Sequence, residues 1–353
     1  MKRLLLLLLS GILVSSLSCS LWSAPKIAFV NTKNNHLWIM DIAGKKLKEL
    51  EGQSSCSSPL WSPNGEWLAY CKTVKNSEKQ QWCLISPADY TIITLHEPAD
   101  SVGDLSWSPD STSVIFSYKK SQQTANAKLC QFWIKKKLTK TIAFAKEPLR
   151  PLCFWDNKTV LYATHSKAVL YDLNSRQSVR KTIPRVVYPD YVASKIGGRI
   201  GDLALFQIDA EFGVNSYAFV PFGTNQNSWV QFYYYQIQKT LPKNSYNIAK
   251  MIVAPDKRSV YALFSNANVV YMGEASKGQS RIYQITPKGA KLLFKFFGEL
   301  VEDFNILNQN QLILDLMEVT EEENARCSLW MYDIKSGRKT LLVDNATDCA
   351  VSR

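Results

Sequence analysis

Residues 57–70 read Ser57-Ser58-Pro59-Leu60-Trp61-Ser62-Pro63-Asn64-Gly65-Glu66-Trp67-Leu68-Ala69-Tyr70. An apolar strand runs into a Ser-Pro-Asn-Gly turn, and a second alternating strand runs out of it. Pro63 pre-sets φ for the second position of a tight turn, Asn64 tolerates the third, and Gly65 suits the fourth. The pattern returns as Leu105-Ser106-Trp107-Ser108-Pro109-Asp110, followed by Ser113-Val114-Ile115-Phe116. A third copy, Leu152-Cys153-Phe154-Trp155, keeps the tryptophan and has lost the proline. A worn copy stands at Ala249–Asp256. A motif recurring at a fixed spacing marks a repeat architecture.

The spacing decides which one. Trp61 to Trp107 is 46 residues and Trp107 to Trp155 is 48, while residues 25–353 number 329, or seven sets of 47. Four strands of about six residues with four short connections fill such a set. The first strands of successive sets centre near positions 61, 107, 155, 192, 253, 304 and 350. Four-stranded sheets repeated radially form a β-propeller, which protects sheet edges by closing into a ring. The expected fold is therefore all-β: one propeller domain over residues 25–353, with seven four-stranded blades. The first set has three strands and no leading one, and Cys349 to Ser352 is one strand with no followers. That last strand is expected to complete the first sheet and clasp the ring. The alternative is six blades, with the irregular stretch Arg185–Gln238 folded differently.

The copies Trp61-Ser62-Pro63-Asn64-Gly65 and Trp107-Ser108-Pro109-Asp110 resemble the W-S-P-D-G repeat of the TolB-type β-propeller family. Leu37-Trp38-Ile39-Met40-Asp41-Ile42-Ala43-Gly44 and Leu329-Trp330-Met331-Tyr332-Asp333 through Gly337 resemble that family's L-Y-x-M-D-x-x-G. The resemblance implies a propeller and, by analogy, a protein-binding role in a bacterial envelope. TolB proper carries an α/β domain before its propeller. Here the first strand follows the N-terminal segment almost at once, so the expectation is a propeller-only relative. No G-x-S-x-G elbow is present, which removes a propeller joined to a serine hydrolase.

The N-terminal segment has its own signature. Lys2-Arg3, an apolar run from Leu4 to Val14 and small residues through Ser20 follow the order of a secretory signal, expected over residues 1–24. Ser16-Leu17-Ser18-Cys19 loosely resembles a lipobox, so Cys19 is a candidate for lipidation and a lipid anchor at the outer membrane. It departs from that pattern at Ser16 and Leu17, and cleavage between Ser18 and Ala24 is the alternative. An exported, periplasmic or outer-membrane-associated protein follows, and export disfavours nucleic acid as a partner. Seven further cysteines carry no C-x-x-C spacing and only three histidines exist, which argues against a zinc site. The formal charge is +12, or +10 without Lys2 and Arg3. Basic composition favours anionic partners and says nothing of the fold.

Trp61, Trp107 and Trp155 occupy one place in three units, and together with Pro63, Gly65, Pro109 and Asp110 they are structural repeat positions. Large side chains there fill the space between sheets. Asp104, Asp190, Glu302, Asp303 and Asp348 each precede a first strand, where loops would ring the channel mouth. Such carboxylates could bind a divalent cation or a basic segment of a protein; as good turn formers they also have a purely structural use. No catalytic set is identified. The expected function is a non-enzymatic scaffold of the cell envelope, a monomer presenting one face to an envelope protein. The alternative is a propeller enzyme acting on a small molecule or glycan at the channel mouth with a divalent cation.

Overall fold

The computed structural model describes residues 25–183, 192–209, 216–222, 247–265, 279–319 and 325–352, apart from 46, 125, 150, 151, 165 and 166. The segment read as a signal, with Cys19, lies outside them, as do Asp190 and His165.

The chain folds into seven antiparallel sheets in sequence order. The first contains β1 (Lys26–Asn31), β2 (Leu37–Asp41) and β3 (Lys48–Glu51). The second contains β4 (Cys56–Trp61), β5 (Leu68–Thr73), β6 (Gln80–Ile85) and β7 (Ile92–Thr94), and the third β8 (Ser101–Trp107), β9 (Ser113–Lys119), β10 (Ala127–Trp133) and β11 (Leu138–Ala145). The fourth is β12 (Leu152–Phe154), β13 (Thr159–Thr164), β14 (Lys167–Asp172) and β15 (Ser178–Thr182). In the fifth, β16 (Val192–Ile200), β17 (Leu203–Asp209) and β18 (Ser216–Pro221) are described, and the expected fourth strand, Trp229 to Tyr235, lies outside the described residues. The sixth is β19 (Asn247–Val253), β20 (Val260–Ser265), β21 (Gln279–Thr286) and β22 (Gly289–Phe297). The seventh is β23 (Leu300–Asn308), β24 (Gln311–Val319), β25 (Ala325–Asp333) and β26 (Lys339–Asp344), and the final strand is β27 (Ala346–Val351).

That final strand pairs with β1 and completes the first sheet, with Ile27 opposite Val351 and Asn31 opposite Ala346. The Lys26 amide donates to Ser352 Oγ at 2.6 Å, and the Ser352 amide returns to Lys26 O at 2.8 Å. Closure by the C-terminal strand is as expected from the sequence.

Burial explains why the strands read as they do. β9 and β20 are buried along their whole length because each lies between two neighbouring sheets. Their sequences are accordingly near-continuous apolar runs rather than alternating ones. The outermost strands β7, β11 and β15 are largely exposed. Seven apolar clusters form, one at each junction between adjacent blades. The one joining blades 7 and 1 sets Ile313, Leu329 and Leu342 against Ile27, Phe29 and Cys349. A core at every junction, the last with the first included, is a closed seven-bladed ring.

The repeated turn does more than reverse the chain. The Ser62 amide donates to Trp67 O at 2.8 Å and Gly65 N to Ser62 O at 2.9 Å, with Gly65 at φ +70°. Ser111 and Lys257 take the same place in two copies at φ 61° and 52°, donating to Ser108 O and Ala254 O. The turns then bind one blade to the next at one repeat length. Trp107 Nε1 donates to Leu60 O at 3.0 Å, Asn64 N to Ser111 Oγ at 3.0 Å, and Asp110 N to Asn157 Oδ1 at 3.2 Å. Each pair is separated by 47 residues. The motif is thus the inter-blade fastening, and the three tryptophans sit at those seams. Trp155 lies against Phe222 of blade 5, with the Arg199 guanidinium 4.8 Å from its ring.

Candidate functional site: the acidic side of the channel

The innermost strands β27, β4, β8, β12, β16, β19 and β23 face the ring axis. All but the short β12 lose register against a neighbouring strand. The slips fall between Ser57 and Leu60, Val102 and Leu105, Ile248 and Lys250, Val301 and Asp303, and Ile306 and Asn308, with two in β16 and one where β1 meets β27. A bulge adds an unpaired residue and re-aims its side chain. The bulges of β4, β8 and β27 bring Ser58, Asp104 and Asp348 to one cavity.

The predicted carboxylates fall at these bulges and inside the strands, not in loops ahead of them. Asp104 lies in β8, Glu302 and Asp303 in β23, and Asp348 in β27. They divide into two groups. Asp104 and Asp348 border a cavity of about 530 Å³ opening on the channel, walled by Ser58, Pro59 and Leu60 of β4, Trp82, Gly103, Leu152 and Cys153, with Ile196 of blade 5. Glu302 and Asp303 do not line it. Asp303 Oδ1 instead lies 2.5 Å from Lys250 Nζ, and the same ammonium donates to Phe304 O at 2.9 Å.

Asp104 and Asp348 are also fastenings between blades. Asp104 Oδ2 accepts from the Leu152 amide at 3.3 Å, joining blades 3 and 4, next to a bond from Phe154 N to Ser106 Oγ at 3.1 Å. Asp348 Oδ2 accepts from the Ser58 amide, joining blades 1 and 2, with Asp348 and Ser58 both left-handed at φ 51° and 54°. Among the described residues no group of three or more His, Cys, Asp or Glu is placed to hold a metal ion.

Cys153 lines the cavity, and burial pushes its thiol up to about 12, so it stays protonated and weakly nucleophilic at neutral pH. His96 is stacked on Tyr118 with centroids 4.3 Å apart, and both ring nitrogens are engaged. Nε2 accepts from the Trp82 amide at 3.0 Å, which leaves the proton on Nδ1 to donate to Glu97 O at 2.6 Å. Burial holds this ring well below its ordinary range, at about 4. His36 pairs with Glu49 on blade 1. All seven described cysteines are free thiols.

Two residues of this region escaped sequence reading. Lys250 stands in the worn copy Ala249–Asp256, and no pattern singled it out, yet it is a cation of an innermost strand paired with Asp303. Asp315, in Gln311-Leu312-Ile313-Leu314-Asp315-Leu316-Met317, is 2% exposed in the second strand of blade 7. Its signal was visible: a carboxylate inside an apolar run is informative because burying it is costly.

Among solved structures the chain is similar to TolB from Acinetobacter baumannii at 15% identity and a TM-score of 0.50, over 93% of this chain and 66% of that one. It is similar to the β-propeller domain of the Trilobed protease from Pyrococcus furiosus at 12% identity and a TM-score of 0.59, over 92% and 94%. An acylaminoacyl peptidase matches at 11% identity and a TM-score of 0.58, over 92% of this chain and 51% of that one. The chain thus spans about two thirds of the TolB chain and about half of the peptidase. No family profile and no curated protein matches. At these identities the likeness is one of architecture: the chain has the TolB-type propeller fold, a fold that peptidases also carry.

Proposed function

We propose that this propeller is a non-enzymatic scaffold of a bacterial cell envelope, docking a segment of a partner protein in the cavity beside the channel. The observation that carries the reading is the cavity itself. It mixes apolar walls (Pro59, Leu60, Leu152, Ile196) with two charged residues, Asp104 and Asp348, both acidic in a chain of formal charge +12. A local field opposite to the global one favours a basic or amide-rich segment and disfavours most anionic ligands. The titratable groups near it support binding over catalysis: the Cys153 thiol is held protonated, and His96 has both nitrogens occupied. The N-terminal segment supports export to the envelope, with Cys19 as the candidate anchor.

The test compares partner retention on purified protein incubated with envelope extract. Leu60→Arg places a cation in the cavity wall at a side chain 39% exposed; Leu138→Arg, at a residue 53% exposed on the outer strand of blade 3, is the control. A protein retained by wild type and Leu138→Arg but lost from Leu60→Arg is the expected result. Equal retention by all three would refute docking at the channel.

A further inference from the structure

Asp315 has an arrangement that neither packing nor partner binding accounts for. It stands opposite Asp303 on β23 and projects toward the closing strand. Its Oδ2 accepts two bonds from β27, from Thr347 Oγ1 at 2.7 Å and from the Asp348 amide at 3.1 Å. Its Oδ1 is buried and meets no donor among the described residues. An ionised carboxylate needs both oxygens solvated or bonded. A neutral carboxylic acid with its proton on Oδ1 leaves Oδ2 free to accept both bonds at far smaller desolvation cost.

The surrounding charges favour the proton. From β23 come Glu302 and Asp303, the second already paired with Lys250 of β19. From β27 come the Asp348 carboxylate, bonded to the Ser58 amide, and the Cys349 thiol, and from β25 the Cys327 thiol, both thiols kept protonated and uncharged by burial. Burial, then Glu302 and Asp303, push the Asp315 carboxyl from its ordinary 3.8 up to about 7, against the two hydrogen bonds that lower it.

What Asp315 holds is the cavity wall. Thr347 and Asp348 form the bulge of the strand that closes the ring, and Asp348 in turn fixes the Ser58 amide across the next seam. Ser58 and Asp348 both line the cavity. We propose that Asp315 is a positioning residue: through Thr347 and Asp348 it fixes the bulge of the closing strand, and gain or loss of its proton resets that strand and the cavity wall. The inference goes beyond the docking reading and stands whatever the cavity binds.

The sign follows from linkage. A carboxyl whose folded value lies above its unfolded one contributes stability fully present below pH 3.8, eroded as pH rises and gone above about 7. The closing strand is therefore held more tightly at pH 6 than at pH 8. His96 titrates with the opposite sign and is common to all variants, so the difference between Asp315→Asn and wild type isolates the effect. The ratio of their unfolding equilibrium constants is expected to change about a hundredfold between pH 5 and pH 8, most of it below pH 7. The second readout is amide hydrogen exchange, corrected for intrinsic rates, on the intact chain. Protection at 346–351 and at Ser58 should fall from pH 6 to pH 8 in wild type, stay flat in Asp315→Asn, and stay flat in β10 of both. Parallel pH profiles for the two proteins, or a protection change spread evenly around the ring, would overturn the proposal. Should Asp315→Asn fail to fold, Thr347→Val removes one donor to the ionised form, and the midpoint of the pH-dependent change must move upward. An unmoved midpoint overturns the proposal as well.

Discussion

Replacing Gly103 with alanine tests how tightly the cavity wall is built. A Cβ at this position would sit 2.5 Å from Leu149 O and 3.1 Å from Leu149 N, and closer still to Ser117 Oγ. These are the atoms of a small buried network: the Leu149 amide donates to Ser117 Oγ at 2.8 Å, and Ser117 Oγ–H donates to Leu149 O at 3.2 Å. Gly103 O also accepts from Trp82 Nε1 at 3.1 Å, on the cavity side. Backbone atoms cannot step aside as a flexible side chain can, so the strand must shift. Overpacking of this kind costs about 1–3 kcal/mol. Losing the two Ser117 bonds adds about 1 kcal/mol each, and the stiffer unfolded chain returns about 0.4–1 kcal/mol. The net expectation is a loss of about 2–5 kcal/mol, read by denaturant unfolding of the purified chain. Ser117→Ala removes the nearest clash, so the double variant should lose about 1–2 kcal/mol less than the sum of the singles. A neutral Gly103→Ala, or strict additivity with Ser117→Ala, would refute the packing described.

Other expectations follow from the seams. Trp107 Nε1 has its acceptor in Leu60 O, whereas Trp61 Nε1 is buried with no partner among the described residues; Trp107→Phe should therefore cost about 1–3 kcal/mol more than Trp61→Phe in thermal or denaturant unfolding, and equal costs would contradict the seam. Lys257 carries a left-handed φ of 52° where the first copy has Gly65, so Lys257→Gly should stabilise by about 0.5–1 kcal/mol, strain relief offset by backbone entropy. Lys250→Met leaves Asp303 without its cation beside Asp315. It should cost about 1–3 kcal/mol, between an exposed and a buried pair, and should move the pH midpoint of stability upward; an unshifted midpoint would show that the two carboxyls do not sense each other. The His96 ring, held neutral down to about pH 4, contributes stability present above its ordinary 6.5 and lost as pH falls through 4. His96→Gln should flatten the acid limb of the stability profile.

The fold was legible because its fastening is written in local chemistry. Ser62-Pro63-Asn64-Gly65 and Ser108-Pro109-Asp110 specify a turn geometry, and the tryptophan before each turn fills a seam, so the repeat length itself counted the blades. Blade 5, without that motif, was the least regular by sequence, and its expected last strand lies outside the described residues. The candidate site was legible only in part. Asp104, Asp303 and Asp348 were singled out as binding candidates ahead of first strands, yet they sit at bulges inside strands that begin two or three residues earlier. A bulge depends on how a strand meets its neighbour, and nothing in composition marks it. Lys250 and Asp315 were missed for the complementary reason. Their partners Asp303, Thr347 and Asp348 lie 53, 32 and 33 residues away, across seams that no local pattern reports.

Docking at the channel is tested most directly by contact in the living cell. A photo-crosslinking side chain in place of Leu60, at the cavity wall, is compared with one in place of Phe144, 65% exposed on the outer strand of blade 3. The expected result is a discrete adduct at position 60, identified by mass spectrometry as one envelope protein, with none of it at position 144. An adduct with that protein at 144 and none at 60 would place the partner on the rim and contradict the channel as the site.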